Sequence, residues 1–408
     1  MTDTESTTEQ IPQELFDHRY MQDPHAVTAM LRRTAPVRPV ITPNGLKVWL
    51  VTRYDDVRLV MNDARVSKNM LGAGDLIERN MMVPAKRRHF NPDIIDYMLN
   101  TDPPKHTRLR TLVLRAFTAG RVEKMRPRVQ AFADEILGAF RAGDEIDVVD
   151  QLAFRLPMMV ILDLLGIPLS DTERLRGWVD ALVTTDDPAS VEVAGSAVVA
   201  YLSELIEAKR VRPDEGMLSS LVNTPDDEDQ LTGAELMSMI FLLVVAGYET
   251  TVHTIGNATL SLLTNADQRE LLQREPERIA GAIDELMRFD TAVSTATFRF
   301  TTEAIELSGV EIPAGEFVLV SLLSANHDED RFPDGAELDV TRSARGHVAF
   351  GYGIHYCMGA QLGRMEVEIA LSGLLRRFPD MRLAVPADQL VWRPSLLMHG
   401  LERLPVRL

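Results

Sequence analysis

The sequence predicts a mainly helical protein that carries a small β region. Thr232 to Leu263 and Ala360 to Phe378 both repeat apolar residues every three or four positions, which is the spacing of long helices. Val37 to Tyr54 is instead rich in β-forming residues on either side of Pro43-Asn44-Gly45, which indicates two strands joined by a turn. Long helices and one short hairpin therefore define the predicted fold class.

Composition restricts the classes of protein to which this chain can belong. With 408 residues and 45% hydrophobic content it can bury a large core, and we expect residues 11–408 to form a single domain. A formal net charge of −17 disfavours nucleic acid or an anionic membrane as the main partner. The apolar run Met239 to Gly247 is shorter than the ~20 residues that span a bilayer. Met1 to Gln10 lacks the apolar segment of a signal peptide, so we expect a disordered tail on a cytoplasmic protein.

A short helix and an irregular stretch follow the hairpin. Asp55 to Asn62 has helical spacing, with Asp55 as the expected N-cap. Residues 67–98 show no clean periodicity and combine glycines with methionines such as Met70. Such a stretch is either a surface loop or a mobile wall over a pocket, because long irregular segments in compact domains are often lids.

A basic helix is expected after Asp102-Pro103-Pro104, since proline is favoured at a helix start. His106 and Arg110 are four residues apart and therefore share one face of that helix. Two cationic donors on one face suit a pair of carboxylates. They are equally compatible with an ordinary solvated basic face.

The long central helix carries polar residues inside an otherwise apolar pattern. Thr232 and Glu235 occupy the N-cap and N3 positions of a capping box at its start. Further on, an Ala-Gly-Tyr-Glu-Thr-Thr segment puts a carboxylate and hydroxyls in the core, which is costly unless they find partners. Glu249 is either a member of a structural ion pair or, with Thr250, part of a proton relay. Alternatively, the Thr250 hydroxyl simply bonds back to the Ala246 carbonyl and bends the helix.

The C-terminal part combines helical and short extended segments. Glu285 and Arg288 are three residues apart on a helix, within reach of one another. Val293 to Arg299 alternates as a strand does. Two further strands are expected around Pro313-Ala314-Gly315, and short strands within Met381 to Leu408.

Cys357 is the only cysteine, and it lies between a glycine-rich loop and the helical pattern that starts at Ala360. The positive end of that helix favours an anion, so we expect the thiol pKa to fall below its ordinary value of about 8.5. A lone cysteine is commonly a buried structural residue. As a ligand, one thiolate cannot build a zinc or iron–sulfur site, whereas it suits haem. Residue types alone leave both interpretations open.

The loop from Phe350 to Gly359 reads Phe-Gly-x-Gly-x-His-x-Cys-x-Gly and resembles the cysteine-ligand loop of the cytochrome P450 family. Two further motifs resemble that family in the same order, Ala-Gly-x-Glu-Thr-Thr at 246–251 and Glu-x-x-Arg at 285–288. The resemblance extends over nearly the whole chain. It implies the P450 fold, a triangular helical prism that holds haem b between the central long helix and the cysteine-loop helix.

The resemblance also implies roles for individual residues. Cys357 would ligate the haem iron, and Glu249 and Thr250 would supply protons. The implied cofactor-binding residues are His106, Arg110, Ala246, Gly247, Arg299, Phe350, His355 and Cys357. The implied substrate-lining residues are Met81, Met82, Val293, Ser294 and Leu397.

One structural feature of the family departs from its usual pattern here. The Glu285–Arg288 pair would lie buried behind the haem, where a further arginine is often the third member of the network. That third position is occupied by Glu337 in this chain, which puts the usual triad in doubt, although Arg342 is nearby.

The implied activity is that of a haem-thiolate monooxygenase, which inserts one oxygen atom from O2 into a lipophilic small molecule. The pattern is most similar to actinobacterial members that hydroxylate or epoxidise macrolides and other polyketides in antibiotic biosynthesis. A steroid or terpenoid hydroxylase is the alternative, and a non-catalytic haem sensor or carrier is the alternative of another class. A peroxide-driven hydroxylase is disfavoured by Glu249 and Thr250.

Electrons must come from other proteins, because the sequence contains no flavin or iron–sulfur motif. The resemblance implies a ferredoxin and a ferredoxin reductase. We expect them to dock near Cys357, where Arg364, Arg376 and Arg377 can meet an acidic partner or simply form a solvated surface. The protein is expected to be a monomer without a nucleic-acid or membrane partner.

Overall fold

Helices occupy most of the part of the chain that the computed structural model describes, which is residues 15–83, 94–184, 187–223 and 230–408. The helices are α1 (His18–Gln22), α2 (Pro24–Thr34), α3 (Tyr54–Asn62), α4 (Gly74–Asn80), α5 (Lys105–Ala116), α6 (Ala119–Lys124), α7 (Arg126–Gly138), α8 (Arg155–Leu165), α9 (Thr172–Thr184), α10 (Pro188–Val211), α11 (Met217–Val222), α12 (Gly233–Thr264), α13 (Ala266–Arg274), α14 (Ile279–Phe289), α15 (Leu322–Asn326) and α16 (Ala360–Arg377). The mainly helical prediction is confirmed. The predicted tail, Met1 to Gln10, lies outside the described residues.

The β region is small and lies mainly beside the N-terminal helices. Its strands are β1 (Val37–Ile41), β2 (Lys47–Val51), β3 (Val66–Ser67), β4 (Glu145–Asp147), β5 (Arg299–Thr301), β6 (Ile305–Leu307), β7 (Val310–Ile312), β8 (Phe317–Val320), β9 (Arg382–Leu383) and β10 (Pro405–Arg407). The predicted hairpin is confirmed, since β1 pairs with β2 in antiparallel register. A five-stranded sheet has the order β1-β2-β8-β5-β3. The β3–β5 pairing brings residues near 67 beside Arg299, although they are far apart in sequence.

Four local predictions were wrong, and each was decided by contacts or turns that a periodicity analysis does not see. In the alternating segment Val293 to Arg299 only Arg299 belongs to a strand, while Val293 and Thr295 form isolated bridges. The N-terminus of α3 is capped by the distant Asp328, whose Oδ2 accepts from the Tyr54 N–H at 2.8 Å, and not by Asp55. The irregular stretch 67–98 contains the helix α4, and its residues 84–93 lie outside the described part of the chain. Residues 305–320 form three strands, because the chain also turns at Ser308-Gly309, where both residues have positive φ.

The central helix α12 runs through the protein core, as its apolar pattern predicts. Thr232 Oγ1 accepts from the Glu235 N–H, and the Glu235 carboxylate accepts from the Thr232 N–H, so the capping box is confirmed. By length and composition α10 and α12 could cross a membrane, but 61% of the apolar window of α12 is buried inside the protein, as in a core helix. Its apolar surface packs on α8, α10 and α16.

A buried ion pair ties α14 to the segment that leads into the cysteine loop. Arg288 Nε lies 2.7 Å from Glu285 Oε2, and neither side chain is exposed. Arg342 Nε lies 3.2 Å from Glu285 Oε1, so Arg342 is the third member of the network. Glu337 contributes its carbonyl oxygen, which accepts from Arg288 Nη2 at 3.2 Å. The unusual residue at 337 therefore leaves the three-membered network intact.

Candidate functional site

The loop that carries Cys357 is closed by backbone hydrogen bonds and shaped by glycines. The Cys357 N–H donates to the Phe350 carbonyl at 2.9 Å. Gly351 and Gly353 have φ of +74° and +73°, a conformation that side chains rarely adopt. A Cβ on Gly353 would also come within 2.8 Å of the Met61 carbonyl oxygen. The loop is therefore held in one conformation against α3, with the cysteine at its end.

The thiol lies just before α16, but its pKa is higher than the sequence predicted. Cys357 is an exposed residue, yet the protein around its sulfur is dense enough that burial raises the thiol pKa. The N–H groups of Gly359 and Ala360 and the charges of Arg110 and Arg364 lower it, as expected at a helix N-terminus, but burial outweighs them. The expectation of a lowered pKa was therefore wrong for the thiol by itself. A bound metal cation would favour the thiolate.

Cationic side chains predicted from distant motifs meet on one side of this loop. The imidazole rings of His106 and His355 lie 4.2 Å apart between centroids. Arg110 Nη2 donates to the Tyr356 carbonyl at 2.7 Å, one residue before the cysteine. Burial lowers the pKa of His355, and the positive charge of Arg299, which is 3% exposed, lowers it further. The structure thus brings together all four donors that the resemblance implied.

Lys68 is a fifth cation in this cluster, and the sequence analysis missed it. Its side chain is 1% exposed, and its ammonium group donates to Thr297 Oγ1. Burial and the charge of Arg299 hold the pKa of Lys68 well below its ordinary value, whereas Asp102 raises it. Since residue 68 lies in a stretch without periodicity, no sequence signal pointed to it. Only the β3–β5 pairing places it beside Arg299.

The electrostatics of the cluster fit a dianionic ligand such as the two propionates of haem. Burial lowers the pKa of Arg299 to about 10 and that of His355 to about 2. His106 Nε2 and His355 Nε2 are buried and lack a hydrogen-bond partner within the described part of the chain. Burial also lowers the pKa values of Lys68 and His106. The charge of the Asp102 carboxylate raises the pKa values of Lys68, His106 and Arg299 and so opposes this effect. Carboxylates placed here would satisfy the orphaned nitrogens and offset the excess of positive charge.

The acid of α12 lines a polar cavity, and the neighbouring alcohol bonds back to its own helix. Thr250 Oγ1 donates to the Ala246 carbonyl at 3.0 Å, which is the back-bonded geometry considered from the sequence. Burial raises the pKa of Glu249, Arg393 lowers it, and Asp180 raises it further. All three of these charged groups line a cavity of about 560 Å³. A carboxyl with a raised pKa that faces polar space is suited to exchange protons with water.

The two small residues before this pair have different roles. Ala246 is exposed in the middle of the core helix, which suits a flat group lying against it. Gly247 instead faces α8, because a Cβ there would come within 2.8 Å of Ile161 Cδ1. The missing side chain of Gly247 therefore serves helix packing. The cofactor contacts that the resemblance implies for Ala246 and Gly247 stay predictions.

The crossing of α12 and α16 links the acid–alcohol pair to the cysteine loop. A Cβ on Gly363 would lie 3.8 Å from Phe350 Cε1 and 3.9 Å from Thr251 Oγ1. The Arg364 guanidinium carbon lies 4.4 Å from the centroid of the Phe350 ring. Phe350 therefore packs between the start of α16 and the loop. These contacts put Thr251, the neighbour of Thr250, beside the first turns of α16, the helix that follows the cysteine loop.

The predicted substrate-lining residues fall into two groups. The Ser294 N–H donates to the Leu397 carbonyl at 2.9 Å, and Val293 forms a β-bridge with Met398, so this group is contiguous. Met81 instead bridges to Leu46, and the Met82 N–H donates to the Gly45 carbonyl, beside the hairpin. Met81 packs on the apolar cluster that also contacts Leu396. The role of all five residues in substrate binding stays a prediction.

Glu366 is a further buried carboxyl that sequence reasoning missed. It is 1% exposed, and its Oε2 has no hydrogen-bond partner in the residues that the structure describes. Burial raises its pKa well above the ordinary value. A signal was available, because Glu366 lies four residues after Leu362 and three before Ile369, both in the apolar stripe of α16. A charged residue in such a stripe indicates either a partner or a neutral acid.

Comparison with known proteins decides the family. A family model described as Cytochrome P450 matches residues 191–384. The 6-deoxyerythronolide B hydroxylase of Saccharopolyspora erythraea is 41% identical over 392 residues, which cover 93% of this chain and 95% of that protein. The chain belongs to the cytochrome P450 family. As a cytochrome P450 it is a monooxygenase that uses a haem iron, redox partners and lipophilic substrates.

Other P450 relatives cover the chain equally well. The Vitamin D(3) 25-hydroxylase of Pseudonocardia autotrophica is 42% identical over 404 residues, 99% of this chain and 98% of that protein. The solved structure of the tirandamycin C-bound P450 monooxygenase TamI is 45% identical, with a TM-score of 0.89 over 96% of this chain and 99% of that one. Both match over nearly their full length, so the P450 fold is established for this chain.

Proposed function

We propose that this P450 hydroxylates or epoxidises a macrolide or another polyketide in antibiotic biosynthesis, with haem b as its cofactor. The observation that carries the enzymatic part is the meeting of the Cys357 loop with five buried or half-buried basic side chains that can donate hydrogen bonds to a dianion. Relatives that tailor macrolides and polyketides support the substrate class. The non-catalytic alternative loses support, because relatives are named hydroxylases.

Haem b fits the donor set of this chain. Cys357 would ligate the iron, while Lys68, His106, Arg110, Arg299 and His355 would hold the propionates. When bound, the haem supplies oxygen activation, and a thiolate ligand favours O–O cleavage by donating electron density. Cys357→Ser tests the ligand. We expect the ferrous carbonyl Soret band to lose its thiolate position, and an unchanged band would overturn the assignment.

Proton supply falls to Glu249 and Thr250. The Thr250 hydroxyl donates its hydrogen bond to the Ala246 carbonyl. Its oxygen can therefore accept a hydrogen bond from water or substrate. Glu249 has a raised pKa and lines the polar cavity, so water there can return each proton that it gives up.

A matched pair of variants tests this relay. Thr254 bonds back to the Thr250 carbonyl at 2.8 Å, so it is a similar threonine one turn further along α12. We expect Thr250→Ala to uncouple NADPH consumption from product formation, with Thr254→Ala close to wild type. Equal coupling in both variants would argue against a relay through Thr250.

The substrate class is testable by optical titration of the ferric enzyme. The contiguous lining group is apolar apart from Ser294, and methionines such as Met398 adapt to large irregular ligands. We expect macrolactones to shift the Soret band from low to high spin. No shift with any macrolactone, together with a shift on steroids, would discard the polyketide assignment and keep the enzyme class.

A secosteroid or steroid is the second candidate substrate. It is favoured by one observation, the 42% identity to a Vitamin D(3) 25-hydroxylase over 99% of this chain. The same titration with vitamin D3 distinguishes the candidates. A shift with vitamin D3 alone would support this second candidate.

We further propose a monomeric, single-domain cytoplasmic enzyme that receives electrons from a ferredoxin and its reductase. The predicted docking arginines differ in availability. Arg364 binds Asp284 at 2.6 Å and Arg377 binds Asp134 at 2.6 Å, whereas Arg376 is exposed. Arg376→Glu should lower the rate of haem reduction by a ferredoxin without changing its dependence on substrate. An unchanged reduction rate would remove Arg376 from the docking surface.

A further inference from the structure

Two histidines and an aspartate from three distant segments meet at a place remote in sequence from the cysteine loop. His25 lies in α2, Asp290 directly follows α14, and His399 lies in the C-terminal segment. One nitrogen of each imidazole and one carboxylate oxygen lie within 4.8 Å of one another. We propose that these side chains bind a divalent first-row metal ion, of which Zn²⁺ is the best match. The proposal does not depend on the function proposed above.

The donor chemistry favours zinc over the other common ions. Two imidazoles and one carboxylate form a nitrogen-rich set, whereas Ca²⁺ and Mg²⁺ prefer oxygen ligands throughout. A site with three protein ligands leaves the fourth tetrahedral position to water. Since the carboxylate neutralises half of the ionic charge, the site resembles a two-histidine, one-acid zinc centre in composition.

The histidine of α2 is available as a ligand. His25 Nδ1 is buried and has no hydrogen-bond partner among the described residues. An imidazole nitrogen that carries no proton keeps a lone pair, and that lone pair is what binds a metal ion.

The distances require a small movement of one side chain. Ligands at about 2.0–2.1 Å from a tetrahedral zinc lie about 3.3–3.5 Å apart. His399 Nε2 and Asp290 Oδ1 are already 3.3 Å apart. A nitrogen of His25 lies within 4.8 Å of these two atoms, and the side chain has to bring it closer. His25 is half-buried near the start of α2.

Neighbouring groups hold the other two ligands in place. Asn257 Nδ2 donates to the His399 carbonyl at 2.8 Å and lies 3.4 Å from Asp290 Oδ1. The Trp392 ring stacks on His399, with centroids 3.9 Å apart and planes 7° apart. Such surrounding contacts orient metal ligands and raise affinity.

A metal ion here would join the N-terminal helix to the turn predicted to contact substrate. The His399 N–H donates to the Ala292 carbonyl at 2.7 Å, and the preceding residues Leu397 and Met398 pair with Ser294 and Val293. The cross-link would therefore restrain that turn. Bound zinc would raise the thermal stability of the folded enzyme, because it binds the native arrangement alone.

The test measures zinc per haem iron in the untagged holoenzyme, because a polyhistidine tag would bind zinc itself. Enzyme stripped with EDTA is dialysed against Zn²⁺, and both metals are quantified by mass spectrometry. We compare wild type, His25→Gln, Asp290→Asn and the control His18→Gln, whose histidine is exposed on α1. The haem absorbance of each variant reports that it has folded.

We expect one zinc per iron and a raised Tm in wild type and His18→Gln. Loss of a surrounding residue alone weakens metal binding by about 10–100-fold. Loss of a direct ligand in His25→Gln or Asp290→Asn should weaken it at least as much and abolish the shift in Tm. Absence of zinc in wild type would overturn the proposal. Equal uptake in His25→Gln, Asp290→Asn and wild type would overturn it too, since the zinc would then be adventitious.

Discussion

Replacing Lys68 by methionine should have opposite effects on the haem-loaded and haem-free protein. Methionine keeps the length and the apolar stem of lysine but removes the ammonium group. With haem bound, the variant loses a charge-assisted hydrogen bond, which contributes about 1.5–3 kcal/mol. Because about 1.4 kcal/mol corresponds to a factor of 10, haem should dissociate roughly 10- to 100-fold faster. Without haem, the variant loses a desolvated cation beside Arg299, so its stability should rise.

The pH dependence separates this charge effect from a packing effect. In the folded haem-free protein the pKa of Lys68 is lowered, so protonation destabilises the fold. The penalty is absent above the unfolded pKa of about 10.4 and builds up as the pH falls toward the lowered pKa. The Tm advantage of Lys68→Met should therefore vanish at alkaline pH and grow toward neutral pH.

The assay is haem transfer to excess apomyoglobin, followed by thermal melting of the haem-free proteins. Lys124→Met serves as control, because Lys124 is exposed on α6. Haem loss as slow as in wild type would refute the assignment of Lys68 to the propionates. A Tm difference that does not change with pH would show that packing, and not charge, explains the stability.

Three other predictions concern buried groups around the site. Glu366→Gln should be more stable than wild type at alkaline pH and equal to it at acidic pH, because ionisation of a carboxyl with a raised pKa destabilises the fold. A stability gain that is the same at both pH values in thermal melts would contradict this prediction. Glu285→Gln should lower the free energy of unfolding in urea by about 3–5 kcal/mol, since it leaves Arg288 charged and buried. A decrease below about 1 kcal/mol would show that the other partners of Arg288 are sufficient. Gly247→Ala should lower the free energy of unfolding by about 1–3 kcal/mol, because the new methyl group clashes with Ile161. The double variant with Ile161→Val should recover part of that loss. If it does not, the strain lies elsewhere.

Local signals predicted the elements whose determinants lie within a few residues. The β1–β2 hairpin follows from its turn residues, and the start of α12 follows from the Thr232–Glu235 capping box. The cap of α3 was mispredicted because Asp328, distant in sequence, reaches the Tyr54 N–H. A hydrogen-bond donor at a helix start can be satisfied by any acceptor that the fold brings near, and spacing does not reveal which.

Some residues of the candidate site were predicted from local motifs, and others are brought there only by the fold. Motifs within single segments identified Cys357, Glu249, Thr250 and the four basic residues that the resemblance implied. Lys68 could not be found, because its partner strand lies more than 200 residues away in the chain. The expected fall in the pKa of Cys357 rested on the nearby helix end. Burial, which depends on every packed neighbour, proved the larger effect.

By itself the sequence determined the helical class and the family, and it predicted the thiolate site. Those properties depend on short-range spacing and on residue types that few other sites combine. Only the tertiary structure decided which charges share a buried volume, as with Lys68 beside Arg299 and His25 beside Asp290 and His399. Electrostatic energies depend on distance and desolvation in space, and neither is set by separation along the chain.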